Sequence, residues 1–187
     1  MKKIGIIVAR FQVPTLHEGH LDFIKKVADD SDVVIVFLGY KVNQPDIKNP
    51  FSLKIREAML SQAIINAGIT TKVIIDNIAD HPDSNEKWSQ ALDEKINDHR
   101  DRLSNDDSAT IHLYGSRDSF AKSYFGSHQV ILLDENVAIS GTEIRNKVLQ
   151  LQENELTSIH REGIIYGLQQ VYPVGMSVVD ILVYKKV

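Results

Sequence analysis

Five short apolar runs, rich in β-branched residues, recur along this chain and are separated by longer amphipathic stretches. The runs are nearly continuous in hydrophobicity instead of alternating, which is typical of strands covered on both faces. They are KIGIIVA (3–9), DVVIVFLG (32–39), KVIID (72–76), TIHLYG (110–115) and HQVILLD (128–134). Strands that alternate with helices predict an α/β fold with a doubly wound parallel sheet and right-handed crossovers. Ligands of such sheets bind beyond the carboxyl ends of the strands.

Four stretches between and after these strands carry apolar residues at helical spacing. They are GHLDFIKKVADD (19–30), SLKIREAMLSQAIINAG (52–68), NEKWSQALDEKINDHRDRL (85–103) and SGTEIRNKVLQL (140–151). Gly68 is a plausible C-cap of the second helix. In the last one, Ser140 and Glu143 have the spacing of a capping box. Beyond residue 151 the pattern loosens, and SVVDILVYKK at the end predicts one more strand.

Composition excludes several classes of function. The 187 residues are 43% hydrophobic and 25% charged, and the formal net charge is −4, so we expect no sequence-independent binding of nucleic acid. The chain has no cysteine, which excludes a disulfide scaffold, a thiol nucleophile and a thiolate zinc site. No apolar run approaches a membrane span and no signal peptide is evident, so we expect a cytoplasmic protein without a membrane partner.

The stretch VARFQVPTLHEGHLDFI (8–24) places two histidines where the first strand turns into a helix. Gly19 lets the backbone approach a ligand, and the helix start offers N–H groups and a positive dipole end to an anion. His17 and His20 are three residues apart, so both can face one spot and donate to phosphate oxygens. The alternative is a helix-capping histidine and a half-buried core histidine. Zinc is less favoured, because no third ligand is evident nearby.

A second phosphate-type helix start follows the fifth strand, at ISGTEIR. Ser140, Thr142 and Arg145 supply hydroxyl donors and a guanidinium fork, which suit a polyphosphate. Alone, this stretch is better explained as a well-capped helix with a surface arginine. Together with the two histidines, it predicts a polyphosphate site.

With these motifs in order, the chain resembles the HxGH nucleotidyltransferase superfamily, with its Rossmann-like fold. More narrowly, it resembles the nicotinamide-mononucleotide adenylyltransferases of the archaeal type and their Nudix-fused bacterial relatives. Their pattern is G-R-F-Q-P-F-H-x-G-H, N-P-F with an arginine seven residues after the Asn, N-x-x-W and S-G-T-E-I-R. This chain has ARFQ and HEGH, then NPFSLKIR (Asn49, Arg56) and NEKW (Asn85, Trp88). It departs in Ala9, which replaces the first glycine, and in VPTL, four residues where the pattern has two.

The resemblance implies roles for residues on the ATP side of the site. His17 and His20 contact the ATP phosphates, Arg10 lies near them, and Arg145 with Ser140 and Thr142 holds the β- and γ-phosphates; of these, His17, His20 and Arg145 are the implied catalytic groups. The magnesium ion that accompanies ATP is bound chiefly by the phosphates and water, so no protein ligand is named.

Other implied roles have structural alternatives that the sequence leaves open. Trp88 stacks on the nicotinamide ring and Asn85 contacts its carboxamide, or the tryptophan is a helix core residue. In YGSRDS, Gly115 passes under the adenine while Arg117 and Asp118 contact ribose or phosphate, or the stretch is a tight turn with a surface ion pair.

The implied reaction joins NMN and ATP to give NAD and pyrophosphate. Alternatives are nicotinate mononucleotide or another nucleotidyl acceptor, and a regulatory module that binds a nucleotide without turnover. We expect residues 1–151 to form the transferase domain, and 152–187 to be a helical segment with a final strand, either an appendage or the opening of a Nudix-like domain. A strand there needs a partner, so a homo-oligomer or a longer protein is favoured.

Overall fold

A five-stranded, all-parallel sheet forms the centre of the protein. The computed structural model describes residues 2–13, 16–41, 49, 51–103, 109–116 and 120–134. Within them, the strands are β1 (Lys3–Ala9), β2 (Val33–Tyr40), β3 (Lys72–Ala79), β4 (Thr110–Gly115) and β5 (Val130–Leu132). The helices are α1 (Glu18–Asp29), α2 (Leu53–Asn66) and α3 (Asn85–Leu103), with a 3₁₀ helix at Phe120–Ser123. The predicted α/β class is confirmed.

The strand order is β3-β2-β1-β4-β5, and each neighbouring pair is parallel. The chain winds outward from β1 to β3 and then crosses back to β4, on the other side of β1. The direction of winding therefore reverses between β1 and β4. Open α/β sheets bind their ligands at such a reversal, beyond the carboxyl ends of the strands.

Two apolar clusters cover the two faces of the sheet. On one face, Ile7, Val34 and Val36 pack with side chains of α1 and α2, including Ile24 and Leu60. On the other, Ile6, Phe37 and Leu113 pack with Leu92 and Ile96 of α3 and with Tyr124. Burial on both faces explains why these strands are continuous apolar runs in the sequence.

The predicted bounds hold for β1, β4 and α3 and shift at several other ends. β3 is longer than predicted, because Asn77–Ala79 continue in register with Leu38–Tyr40 of β2. β5 is shorter: Val130–Leu132 are in register with β4, and Gln129 and Leu133 add one backbone hydrogen bond each to β4 beyond its ends. Gly68 follows α2 with a φ of 65°, as its predicted capping role requires.

The helix predicted at 140–151, and residues 152–187 with their final strand, lie outside the described residues. In the part of the chain that the structure describes, no helix is both long and apolar enough to cross a membrane.

Candidate active site

The loop between β1 and α1 leaves the sheet at the reversal point, and His17 ends it as the N-cap of α1. Its backbone is extended (φ −86°, ψ 169°), and its Nδ1 accepts from the backbone N–H of His20 at 3.4 Å. A neutral ring that accepts at Nδ1 carries its proton on Nε2. This contact favours the tautomer of His17 that carries its proton on Nε2, at the positive end of the helix dipole. His17 lies at the helix start, as predicted. It also caps the helix, as the alternative explanation predicted.

The two histidine rings stack on each other at the start of α1. Their centroids are 3.6 Å apart and their planes differ by 25°. The edge of Phe11 meets the His20 ring at 4.9 Å and 72°. Phe11 has a φ of 43°, a backbone conformation that is costly for a bulky residue. Such a conformation persists where the surrounding structure holds it, and it is common at functional sites. The two histidine rings lie side by side at the helix start, as their spacing in the sequence allows.

His20 is neutral in the resting protein. Burial, and then the neighbouring charge of His17, lower the pKa of His20 to about 3. Its Nδ1 is buried and has no hydrogen-bond partner among the described residues. A buried nitrogen without a partner is costly, and a ligand that supplies one relieves that cost.

Arg10, the residue directly after β1, extends across the end of β2 to Asp80, which follows β3. Its guanidinium lies 2.5 Å from the Asp80 carboxylate, and the arginine side chain is 47% exposed. The arginine passes over Gly39, where a Cβ would lie in van der Waals contact with it, 3.4 Å from Arg10 Cγ. The backbone N–H of Asp80 donates to Tyr40 O at 2.8 Å, which fixes the acid. Sequence reasoning missed Asp80, because the predicted strand KVIID (72–76) ended before the residues that lead to it.

Arg56, in the first turns of α2, is fully buried beneath this loop. Its guanidinium donates to the carbonyl of Arg10 at 2.7 Å, to that of Gly39 at 2.9 Å and to that of Phe51 at 3.2 Å. Burial, and then the charge of Arg10, lower the pKa of Arg56 to about 10, so it remains charged at neutral pH. The arginine thus ties the ends of β1 and β2 to the chain that enters α2.

Gln12, another buried polar residue of the β1–α1 loop, was also missed by sequence reasoning. Its side-chain amide makes a reciprocal pair with the backbone of Phe51, at 3.1 Å as donor and 2.9 Å as acceptor. Gln12, the last residue of the RFQ motif, therefore holds the β1–α1 loop to the chain before α2. Asn49, from the same NPF segment, is also buried.

Asn85 and Trp88 lie in the first turn of α3, which starts at the same edge of the sheet. Asn85 is exposed, and Trp88 is half-buried against the apolar cluster on the α3 face. The indole packs near the rings of Phe120 and Tyr124, with ring centroids 5.9 Å and 6.5 Å from its own. One part of the indole therefore packs as a core side chain, and the rest remains accessible.

The structure places Gly19 in the first turn of α1 and Gly115 at the carboxyl end of β4. The remaining predicted site residues lie outside the described residues: Arg117, Asp118, Ser140, Thr142 and Arg145.

Comparison with known proteins places this site in a family. The model of the family described as cytidylyltransferase-like matches residues 7–147. This chain belongs to the cytidylyltransferase-like family. The matched range begins in β1 and includes the histidine pair, Arg56 and Trp88.

Within this family, the chain is similar to proteins named for adenylyl transfer. It is 25% identical over 148 residues to a nicotinamide-nucleotide adenylyltransferase from Picrophilus torridus, covering 78% of this chain and 79% of that protein. A nicotinamide-nucleotide adenylyltransferase from Methanococcus vannielii is 27% identical over 146 residues, covering 78% and 77% of the two chains.

A similar solved structure is that of a bifunctional NMN adenylyltransferase/ADP ribose pyrophosphatase from Francisella tularensis, complexed with AMP and a manganese ion. It matches with a TM-score of 0.68 at 29% identity, covering 83% of this chain and 44% of that one. The present chain therefore corresponds to less than half of the bifunctional protein. The match shows the predicted Rossmann-like nucleotidyltransferase fold.

The described residues offer no resident metal centre: among them, no group of three or more His, Asp or Glu side chains is arranged to hold an ion. The hydrogen-bond donors that the structure describes here are His17, His20 and Arg10, and the guanidinium of Arg10 is paired with the Asp80 carboxylate. Such donors fit phosphate oxygens, which are themselves good ligands for a hard cation.

Proposed function

We propose that this chain transfers the adenylyl group of ATP to nicotinamide mononucleotide, forming NAD and releasing pyrophosphate. The observation that carries the proposal is the stacked pair His17–His20 at the N-terminus of α1, at the reversal point of the sheet. Family membership and the adenylyltransferases named above support the same reaction class.

The reaction needs alignment more than covalent chemistry. The phosphate of the mononucleotide is already an ionised oxygen nucleophile, so no protein base is required. One of its oxygens attacks the α-phosphorus of ATP in line, and the bond to the pyrophosphate oxygen breaks. The protein must hold two mutually repelling anions together and stabilise charge on the α-phosphate and the leaving pyrophosphate.

We propose that His17 and His20 supply that stabilisation on the ATP side. Nε2 of His17 is set to donate, and the dipole of α1 adds positive potential at the same place. His20 is neutral when the site is empty, and a nearby anion favours its protonated form. Because the histidine pair is shielded from water, its hydrogen bonds to the highly charged transition state are stronger than those of exposed donors.

The remaining roles are proposals as well. Arg10, Ser140, Thr142 and Arg145 hold phosphate, Gly19 and Gly115 let the backbone approach it, and Arg117 and Asp118 contact ribose or phosphate. On the acceptor side, Trp88 stacks on the pyridinium and Asn85 contacts its carboxamide. The accessible part of the Trp88 indole and the exposed position of Asn85 at the ligand-binding edge support these two assignments.

Magnesium is proposed to accompany ATP and to neutralise charge on its phosphates. It would be held by phosphate oxygens and water, since Mg²⁺ dehydrates reluctantly and usually keeps several waters. The manganese ion in the Francisella tularensis complex supports the use of a divalent cation.

We also propose that residues 1–151 form the transferase domain, a division that the range of the family match supports. A homo-oligomer and a cytoplasmic location complete the proposal.

The test is a set of reactions that all contain the protein, ATP and magnesium. Each reaction also contains one acceptor: NMN, nicotinate mononucleotide or another phosphorylated compound. Products are then identified by mass. NAD from NMN supports the proposal, and faster turnover of nicotinate mononucleotide identifies the acid as the acceptor. Tight ATP binding without any dinucleotide favours the regulatory module and contradicts the proposal.

A further inference from the structure

The chain that leaves β4 is tied to α3 through one carboxylate, that of Asp93. Its oxygens accept from the Tyr124 hydroxyl at 2.5 Å, from the Ser127 backbone N–H at 2.8 Å and from the Ser127 hydroxyl at 2.9 Å. The side chain of Asp93 is only 16% exposed. A half-buried carboxylate with three donors fixes its partners more firmly than a surface ion pair does.

A second tie lies one turn earlier on the same helix. The buried Ser89 hydroxyl donates to Asn85 O at 2.7 Å and accepts from Phe125 N–H at 2.9 Å. The Tyr124 hydroxyl also accepts from His128 N–H at 3.0 Å. Burial, and then Asp93, raise the pKa of Tyr124, so its hydroxyl stays protonated and donates.

The packing around the Tyr124 ring allows little substitution. A Cβ on Gly126 would lie 2.3 Å from the Tyr124 hydroxyl, so the loop can fold over the ring only with glycine there. The ring then meets the Trp88 indole edge-on at 6.5 Å and 90°, and Phe120 at 6.1 Å. The orientation of the indole therefore depends on where Tyr124 is held.

We propose that Asp93 and Tyr124 are positioning residues that hold the Trp88 indole in place against the segment leaving β4. The ring of Tyr124 meets the indole, and Asp93 fixes the Tyr124 hydroxyl and Ser127. The cluster of Asp93, Tyr124 and Ser127 therefore supports the acceptor side of the site, where Trp88 lies. This inference rests on the proposed function, in which Trp88 stacks on the nicotinamide ring.

Trp88 is the sole tryptophan, so its fluorescence reports this site directly. The experiment compares the wild type with Tyr124→Phe, which keeps the ring and removes the hydroxyl. A second variant, Asp93→Asn, keeps the shape of the acceptor and removes its charge. Emission, acrylamide quenching and quenching by NMN are measured with excitation selective for tryptophan, while circular dichroism verifies folding.

Tyr114→Phe is the matched control. Tyr114 also donates its hydroxyl to a carboxylate, that of Asp30, but it packs in the cluster on the α1 face. Tyr114→Phe and Tyr124→Phe lose the same kind of hydrogen bond and some stability. Only Tyr124→Phe and Asp93→Asn are expected to change the fluorescence and quenching of Trp88.

In Tyr124→Phe, acrylamide reaches Trp88 more readily and the Kd for NMN rises about tenfold, which corresponds to ~1.4 kcal/mol. The KM for the mononucleotide rises with it, whereas the KM for ATP does not. If the wild type is quenched by NMN and both variants keep its Kd, the cluster only stabilises the fold and this inference is wrong. If the wild type itself shows no quenching by NMN, the acceptor role of Trp88 fails, and the inference fails with it.

Discussion

Replacement of Arg56 by methionine tests whether the buried guanidinium organises the carboxyl edge of the sheet. The variant keeps an extended apolar side chain of similar length but removes the donors that reach the carbonyls of Arg10, Gly39 and Phe51. Hydrogen bonds from a charged donor contribute about 1.5–3 kcal/mol each, and an acceptor left buried without a partner costs ~1–3 kcal/mol. Burial of the guanidinium lowers its pKa and costs desolvation free energy. This cost offsets part of the stability that its hydrogen bonds contribute in the wild type.

The variant leaves three carbonyls without this donor, and the relieved desolvation of the guanidinium offsets part of that loss, so the net loss of stability for Arg56→Met is expected to be about 2–4 kcal/mol. In a chain of this size it lowers Tm by roughly 10 °C. Urea unfolding with an unchanged m-value measures the loss. Lys54→Met, an exposed position on the same helix, is the control and should stay within ~0.5 kcal/mol of the wild type. If Arg56→Met loses less than about 1 kcal/mol, the carbonyls do not depend on Arg56 and the argument is refuted.

Three further predictions concern the histidine pair and the ion pair beside it. His20→Ala should lower kcat by about 10²-fold, the scale for one transition-state donor, and near-normal turnover in steady-state assays would contradict its role. The folded-state pKa of His20 is about 3 and the unfolded value is near 6.5, so the unfolded state binds more protons between these values. Stability should therefore fall as pH is lowered from about 6.5, by at most ~1.4 kcal/mol per pH unit, relative to His20→Gln; parallel pH curves from chemical denaturation would exclude this. Finally, a double-mutant cycle of Arg10→Ala and Asp80→Ala should give a coupling in stability of about 1 kcal/mol or less, because the pair is partly exposed; a coupling above ~3 kcal/mol would show a buried pair.

The elements that the sequence predicts best are those with one dominant local signal. β1 and β4 have the predicted bounds because both are continuous apolar runs that end at a change of composition. α3 begins and ends where its amphipathic pattern does. β5 starts later than predicted, and the backbone N–H of His128, the first residue of the predicted segment, bonds the Tyr124 hydroxyl instead of a strand.

The convergence of His17 and His20 was also predictable, because helical spacing alone brings residues three apart together. Contacts between distant parts of the chain were not. Arg10 and Asp80 are 70 residues apart, and their pairing depends on the strand order, which places the ends of β1 and β3 on either side of β2. Likewise, the spacing of NPFSLKIR marks Arg56 but does not reveal that it is buried against three carbonyls.

The path of the phosphates tests the central claim most directly. The protein is given NMN, magnesium and ATP labelled either at the α-phosphate or at the γ-phosphate, and the labelled products are separated. Adenylyl transfer predicts that the α-label appears in NAD and the γ-label in pyrophosphate, in equal amounts. Transfer of the γ-label to the acceptor, or absence of any labelled dinucleotide, would contradict it.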